Sequence, residues 1–121
     1  MAKLNMAIIK EHAVGGSYAE HASTLVGMLH GLKISVDGEE ALFLDHLDQV
    51  RTPDQLLALF TSTMTAAHVH ANEMVRSGSA ADAERLRSVA SGYLGNLLDV
   101  TNRAAWTGQP LVMPEIGQMR G

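Results

Sequence analysis

The chain contains no cysteine. That absence removes disulfides, thiolate metal sites, cysteine nucleophiles and iron–sulfur clusters together. Aromatic residues make up only 4% of the sequence, so a core has to be built from Leu, Val, Ile, Met and Ala. Aliphatic cores of this kind are usual where helix packs on helix. Basic residues are few and scattered. Nine Lys and Arg against thirteen Asp and Glu leave a net charge of −4, and only Arg85 and Arg87 lie close together. A phosphate-backbone binder carries the opposite balance, which disfavours general nucleic-acid binding. The sequence also lacks any run approaching ~18 apolar residues. Asn5, Lys10, Glu11 and His12 interrupt the apolar character of its first residues. A soluble, cytoplasmic protein without a membrane span is expected.

What is present is the composition of a core-former: 46% hydrophobic and 18% charged over 121 residues, which fits one domain spanning 1–121. Four stretches have capping-box character, in which a side-chain oxygen accepts from the third helical amide and the third side chain reaches back. They are Ser17–Glu20, Asp37–Glu40, Thr52–Gln55 and Ser79–Asp82, the last weakened by the short Asp. Each precedes an apolar pattern, and together they predict an all-α chain. The expected architecture is a helical bundle. Three short N-terminal helices occupy 3–50, a long antiparallel C-terminal helical hairpin 52–106, and an extended tail 107–121.

Within 3–50 the helices are expected at 3–13, at 18–30 with Ala22, Leu25, Val26 and Leu29 inward, and at 38–50. The alternation in LKISVDG suggests a strand, but with no evident partner it reads as an extended connector. Thr52 with Pro53 behind it and Gln55 closing the box is the clearest helix start. From there Leu57, Phe60, Met64, Ala67, Ala71 and Met74 mark one seam. Leu86, Ala90, Tyr93, Leu97, Val100 and Ala104 mark the other. Ser77-Gly78-Ser79 between them is short enough to force an antiparallel turn. Two prolines and three glycines keep the tail from being helical, yet its Leu111, Val112, Met113 and Ile116 call for a surface to pack on.

Leu56, Leu59, Val69, Leu94 and Leu98 fall outside the two seams and give the long helices a second apolar face, the mark of a larger bundle or a subunit contact. Ser88, Ser91, Gly92 and Gly95 would let another backbone approach. Leu56, Leu59, Val69, Gly92, Gly95 and Leu98 are therefore the candidate oligomer or helix-contact face.

AAHVHANE, residues 66–73, looks like a metal motif. On a continuous helix, however, His68 and His70 stand roughly 200° apart, and His70 with Glu73 supplies only two of the three or four ligands that zinc needs. The plainer expectation puts the histidines on opposite flanks of the seam, with a local His70–Glu73 hydrogen bond. His68, His70 and Glu73 remain the metal candidates. No G-x-S-x-G, phosphate loop or H-E-x-x-H occurs, and no cofactor is expected. Arg85, Arg87 and Arg103, with Tyr93 or Trp106 to stack, are the candidate site for a small anionic ligand.

The leading expectation is a non-catalytic helical interaction protein. It would be a homo-oligomeric adaptor, assembly or inhibitor module of the kind found among bacterial accessory and phage-encoded regulators, with a protein or itself as partner. An anionic-ligand binder and a histidine metal bundle are the alternatives.

Overall fold

The computed structural model describes residues 3–14 and 33–113. The expected helix at 18–30, the Ser17–Glu20 box and Ile116 lie outside them. The described elements are α1 (Met6–Val14), β1 (Ile34–Val36), β2 (Glu39–Ala41), α2 (Phe43–Gln49), α3 (Pro53–Arg76) and α4 (Ala80–Val100), which continues as a π-helical turn over Thr101–Ala105. The molecule is mostly helical, and no helix among the described residues is long and apolar enough to cross a membrane.

The connector expected to run unpaired is a strand. Its partner is the segment that immediately follows, with Ile34 opposite Ala41 and Val36 opposite Glu39. Asp37 and Gly38 both take positive φ, 54° and 81°, which is what a two-residue hairpin turn matched to strand twist requires. The Asp37–Glu40 stretch is therefore a turn and not a helix cap. The expected helix at 38–50 shortens to Phe43–Gln49. His46, buried on α2, ties the hairpin down through Nε2 to the Ile34 carbonyl at 2.6 Å.

At Thr52 both halves of the capping box form. Helix α3 ends in a Schellman closure, with Ser79 N–H donating to the Met74 carbonyl, Gly78 N–H donating to Val75, and Gly78 at φ +91°. This turns α4 back along α3. Ser79 makes no side-chain cap, so the short Asp82 box is not realised.

The buried stripe of α3 is Leu56, Leu59, Phe60, Thr63, Met64, Ala67 and Ala71, wider than the expected seam. Leu57 and Met74 are only half-buried. The stripe widens because α3 meets α2 and β1 as well as α4. On α4 the seam holds from Leu86 to Val100 and then slips by one, burying Ala105 while Ala104 is exposed. A π turn takes one more residue than an α turn, so it advances the inward face by that residue. The tail packs on its own chain: Asn102 accepts from Leu111 N–H through Oδ1 and donates through Nδ2 to its carbonyl.

Tyr93 sits at the centre, fully buried. It meets Phe43 edge to face at 6.0 Å and donates its hydroxyl to the Ala13 carbonyl. Burial pushes its ionisation above the ordinary tyrosine range. In the unfolded chain the phenol ionises near pH ~10, so stability from this group is whole below that pH and is lost as pH rises towards the raised value. Urea melts should show stability falling more steeply above about pH 10 in wild type than in Tyr93→Phe, with a limiting slope of ~1.4 kcal/mol per pH unit. At neutral pH Tyr93→Phe is expected to cost about 1–2 kcal/mol. Equal alkaline slopes would show that the phenol is not held neutral.

Candidate functional site

An open groove of about 430 Å³ runs between β1 and the outer side of α3. Its helical wall follows from spacing: Ser62, Ala66, Val69 and Glu73 recur at four, three and four residues and form one stripe on the face turned away from the core. Thr61 and Thr65 flank the stripe on one side and His70 on the other. From β1 comes Ser35 and from the residue just before that strand Lys33, and the two share the outward face because Ile34 between them is buried.

The groove combines four kinds of chemistry. Ser35, Thr61, Ser62 and Thr65 line it, and a hydroxyl can both donate and accept. Thr65 already donates to the Thr61 carbonyl at 3.0 Å. Thr61 Oγ1 is buried and has no hydrogen-bond partner among the described residues. The apolar part is Ala66 and Val69, the latter 54% exposed. Two charges of opposite sign, Lys33 and Glu73, face the same space, and neither belongs to an ion pair among the described residues. The pairs seen there are Lys10–Asp48 and Arg103–Asp99. His70 adds an imidazole. A smaller recess of about 140 Å³ lies behind the hairpin between Asp37, Glu39 and Gln55, where His46 is already engaged.

The structure separates the two histidines of AAHVHANE. His70 lines the groove and His68 does not. The expected His70–Glu73 hydrogen bond is not formed. Among the described residues no group of three His, Asp or Glu gathers as a metal would need. No hydrogen bond joins His70 to a groove hydroxyl, so no nucleophile stands activated by a base there.

The residues expected to hold an anion do not converge. Arg87 reaches across to the Asn72 side chain on α3, Arg85 is exposed, and Arg103 is paired with Asp99 at 2.9 Å. Tyr93, expected to stack on a ligand, is instead buried in the core. Trp106 bridges to Leu4 and donates its indole N–H to the Gln109 carbonyl, stapling the tail. Of the contact-face candidates, Leu56 and Leu59 are absorbed by the chain's own core and Leu98 packs partly against it. Val69 lies open in the groove. Gly92 and Gly95 are exposed, and no described atom lies within 4 Å of where a Cβ would stand.

Sequence reasoning missed Lys33, Ser35, Thr61, Ser62 and Thr65. The signal was present in Thr61-Ser62-Thr63-Met64-Thr65, which concentrates indifferent helix formers in mid-helix. Thr63 is the residue of this stretch that is buried whole among those bearing a hydroxyl, and Thr61 buries its Oγ1 as well. No protein-family model, curated protein or solved structure matches this chain.

Proposed function

We propose that this chain is a non-catalytic helical interaction protein, an adaptor, assembly or inhibitor module, whose working surface is the groove between β1 and α3. The observation that carries the reading is the asymmetry of α3. One side is sunk in the core from Leu56 to Ala71, while the other keeps Val69 half in solvent among hydroxyl-bearing residues and the charges of Lys33 and Glu73. A stable scaffold with an open, chemically mixed face is the arrangement of a binding protein.

Self-association belongs to the same proposal and uses a different face, the bare side of α4 at Gly92 and Gly95. Two glycines on an exposed helix cost about 1 kcal/mol each against Ala, and close approach of a second backbone would offset that cost. Light scattering at high micromolar concentration should give a mass that is a multiple of 13.0 kDa, and Gly92→Gln should lower it. A strict monomer would remove the oligomer from this reading and leave the groove. The anionic-ligand reading keeps one observation in its favour, Lys33 unpaired in the groove, but Glu73 opposes it there.

The groove reading predicts that Val69→Lys leaves stability within about 0.5 kcal/mol of wild type, as exposed substitutions do. Thermal melts check this. A larger loss would show Val69 to be structural.

A further inference from the structure

We infer that the groove takes an extended peptide segment of a partner protein carrying one acidic and one basic side chain, the acid lodged at Lys33 and the base at Glu73. This rests on the proposed interaction role and names the chemistry of the partner. Lys33 and Glu73 line one groove, differ in sign, and are bound neither to each other nor to another described residue. Two opposite charges left unneutralised in one site are matched by a ligand bearing both. A purely anionic ligand would be repelled by Glu73, and a purely cationic one by Lys33.

Length selects a peptide over a single amino acid. The helical wall runs from Thr61 to Glu73, which at ~1.5 Å per residue is about 18 Å, the reach of roughly five residues of extended chain. Beside the charges the lining suits a backbone. The hydroxyls of Ser35 and Ser62 can answer both the N–H and the C=O of amides, and that of Thr65, which donates to the Thr61 carbonyl, can still accept. Ala66 and Val69 offer an apolar contact for an aliphatic side chain. The strand adds to this. Val36 and Glu39 flank the two-residue turn, so Ser35 opposite Glu40 occupies a non-hydrogen-bonded position and its backbone N–H and C=O point away from β2.

The test is selection of a random heptapeptide library against the wild-type protein and against the charge-swapped double variant Lys33→Glu, Glu73→Lys. Both positions are exposed, and melting curves verify that the variant folds. The expected result is enrichment of peptides with an acid and a base at a fixed spacing. Their binding should fall about tenfold or more with Lys33→Glu, and the swapped protein should enrich the reverse charge order. No enrichment, or enriched peptides that bind the swapped protein equally well, overturns the inference. Peptides without the charge pattern that are still lost on Val69→Lys would sink the charge assignment and keep the groove as the interaction surface. Peptides insensitive to Val69→Lys would sink both.

Discussion

Phe60→Ala is expected to cost about 3–5 kcal/mol of folding stability, a large share of the ~5–15 kcal/mol that holds a domain of this kind together. Phe60 is fully buried on the stripe that α3 turns towards α4. It is also one of only two phenylalanines in the chain, so its ring is a large part of the aromatic volume in a mainly aliphatic core. Helix α3 itself is fixed at both ends, by the Thr52 box and the Gly78 closure, which limits its collapse onto a void. The same stripe gives a sharper comparison one residue apart. Leu56 is fully buried and Leu57 only half. Leu56→Ala should therefore cost about 2–5 kcal/mol and Leu57→Ala distinctly less, nearer ~1 kcal/mol. Urea denaturation with a common slope measures both. Equal losses, or a larger one at Leu57, would place the helix in the wrong rotation.

Ile9→Ala is expected to lose about 2–5 kcal/mol, although it lies near one end of the chain. The side chain is fully buried, because α1 packs on both α4 and the π turn. The contact is reinforced by backbone: Asn5 N–H donates to the Ala105 carbonyl at 2.7 Å, and Lys3 N–H donates to Thr107 Oγ1 at 2.8 Å. The end of α4 and the residues before α1 thus clasp each other, and Tyr93 fastens the other end of α1 at Ala13. If Ile9→Ala changed stability by less than about 0.5 kcal/mol, the level of an exposed substitution, α1 would be an appendage and this clasp would carry no weight.

The sequence made the long hairpin legible because its signals are local and agree with one another. Thr52, Pro53 and Gln55 define a start, Gly78 a stop, and Leu86, Ala90, Tyr93 and Leu97 a face. The β-hairpin was hidden by a competing reading of the same residues. Asp37-Gly38-Glu39-Glu40 satisfies a capping box as well as a turn, and the turn wins because Ile34 and Val36 can bury only as a paired strand. The slip from Ala104 to Ala105 has no sequence mark, since a π turn is set by what the helix end must contact. Candidate site residues fared by the range of the interaction involved. Opposed positions for His68 and His70 follow from helix geometry alone. Tyr93, by contrast, carries two readings in the sequence, a seam position and a stacking ring, and its partners Phe43 and the Ala13 carbonyl, 50 and 80 positions away, place it in the core. The groove needed the same long-range step, because Lys33 and Ser35 meet Thr61 and Glu73 only through the fold.

The central claim is that the face of α3 centred on Val69 is where this protein meets its partner. Photo-cross-linking tests it most directly, with a benzophenone side chain placed at Val69 or at Ser62 inside the groove, and at the exposed Glu11 or Asp48 as controls, in the cells that make the protein. The account predicts a discrete cross-linked product from the two groove positions, lost when Lys33→Glu and Glu73→Lys are introduced together, and none from the controls. Cross-linking that is equal at all four positions, or absent from the groove, would contradict it.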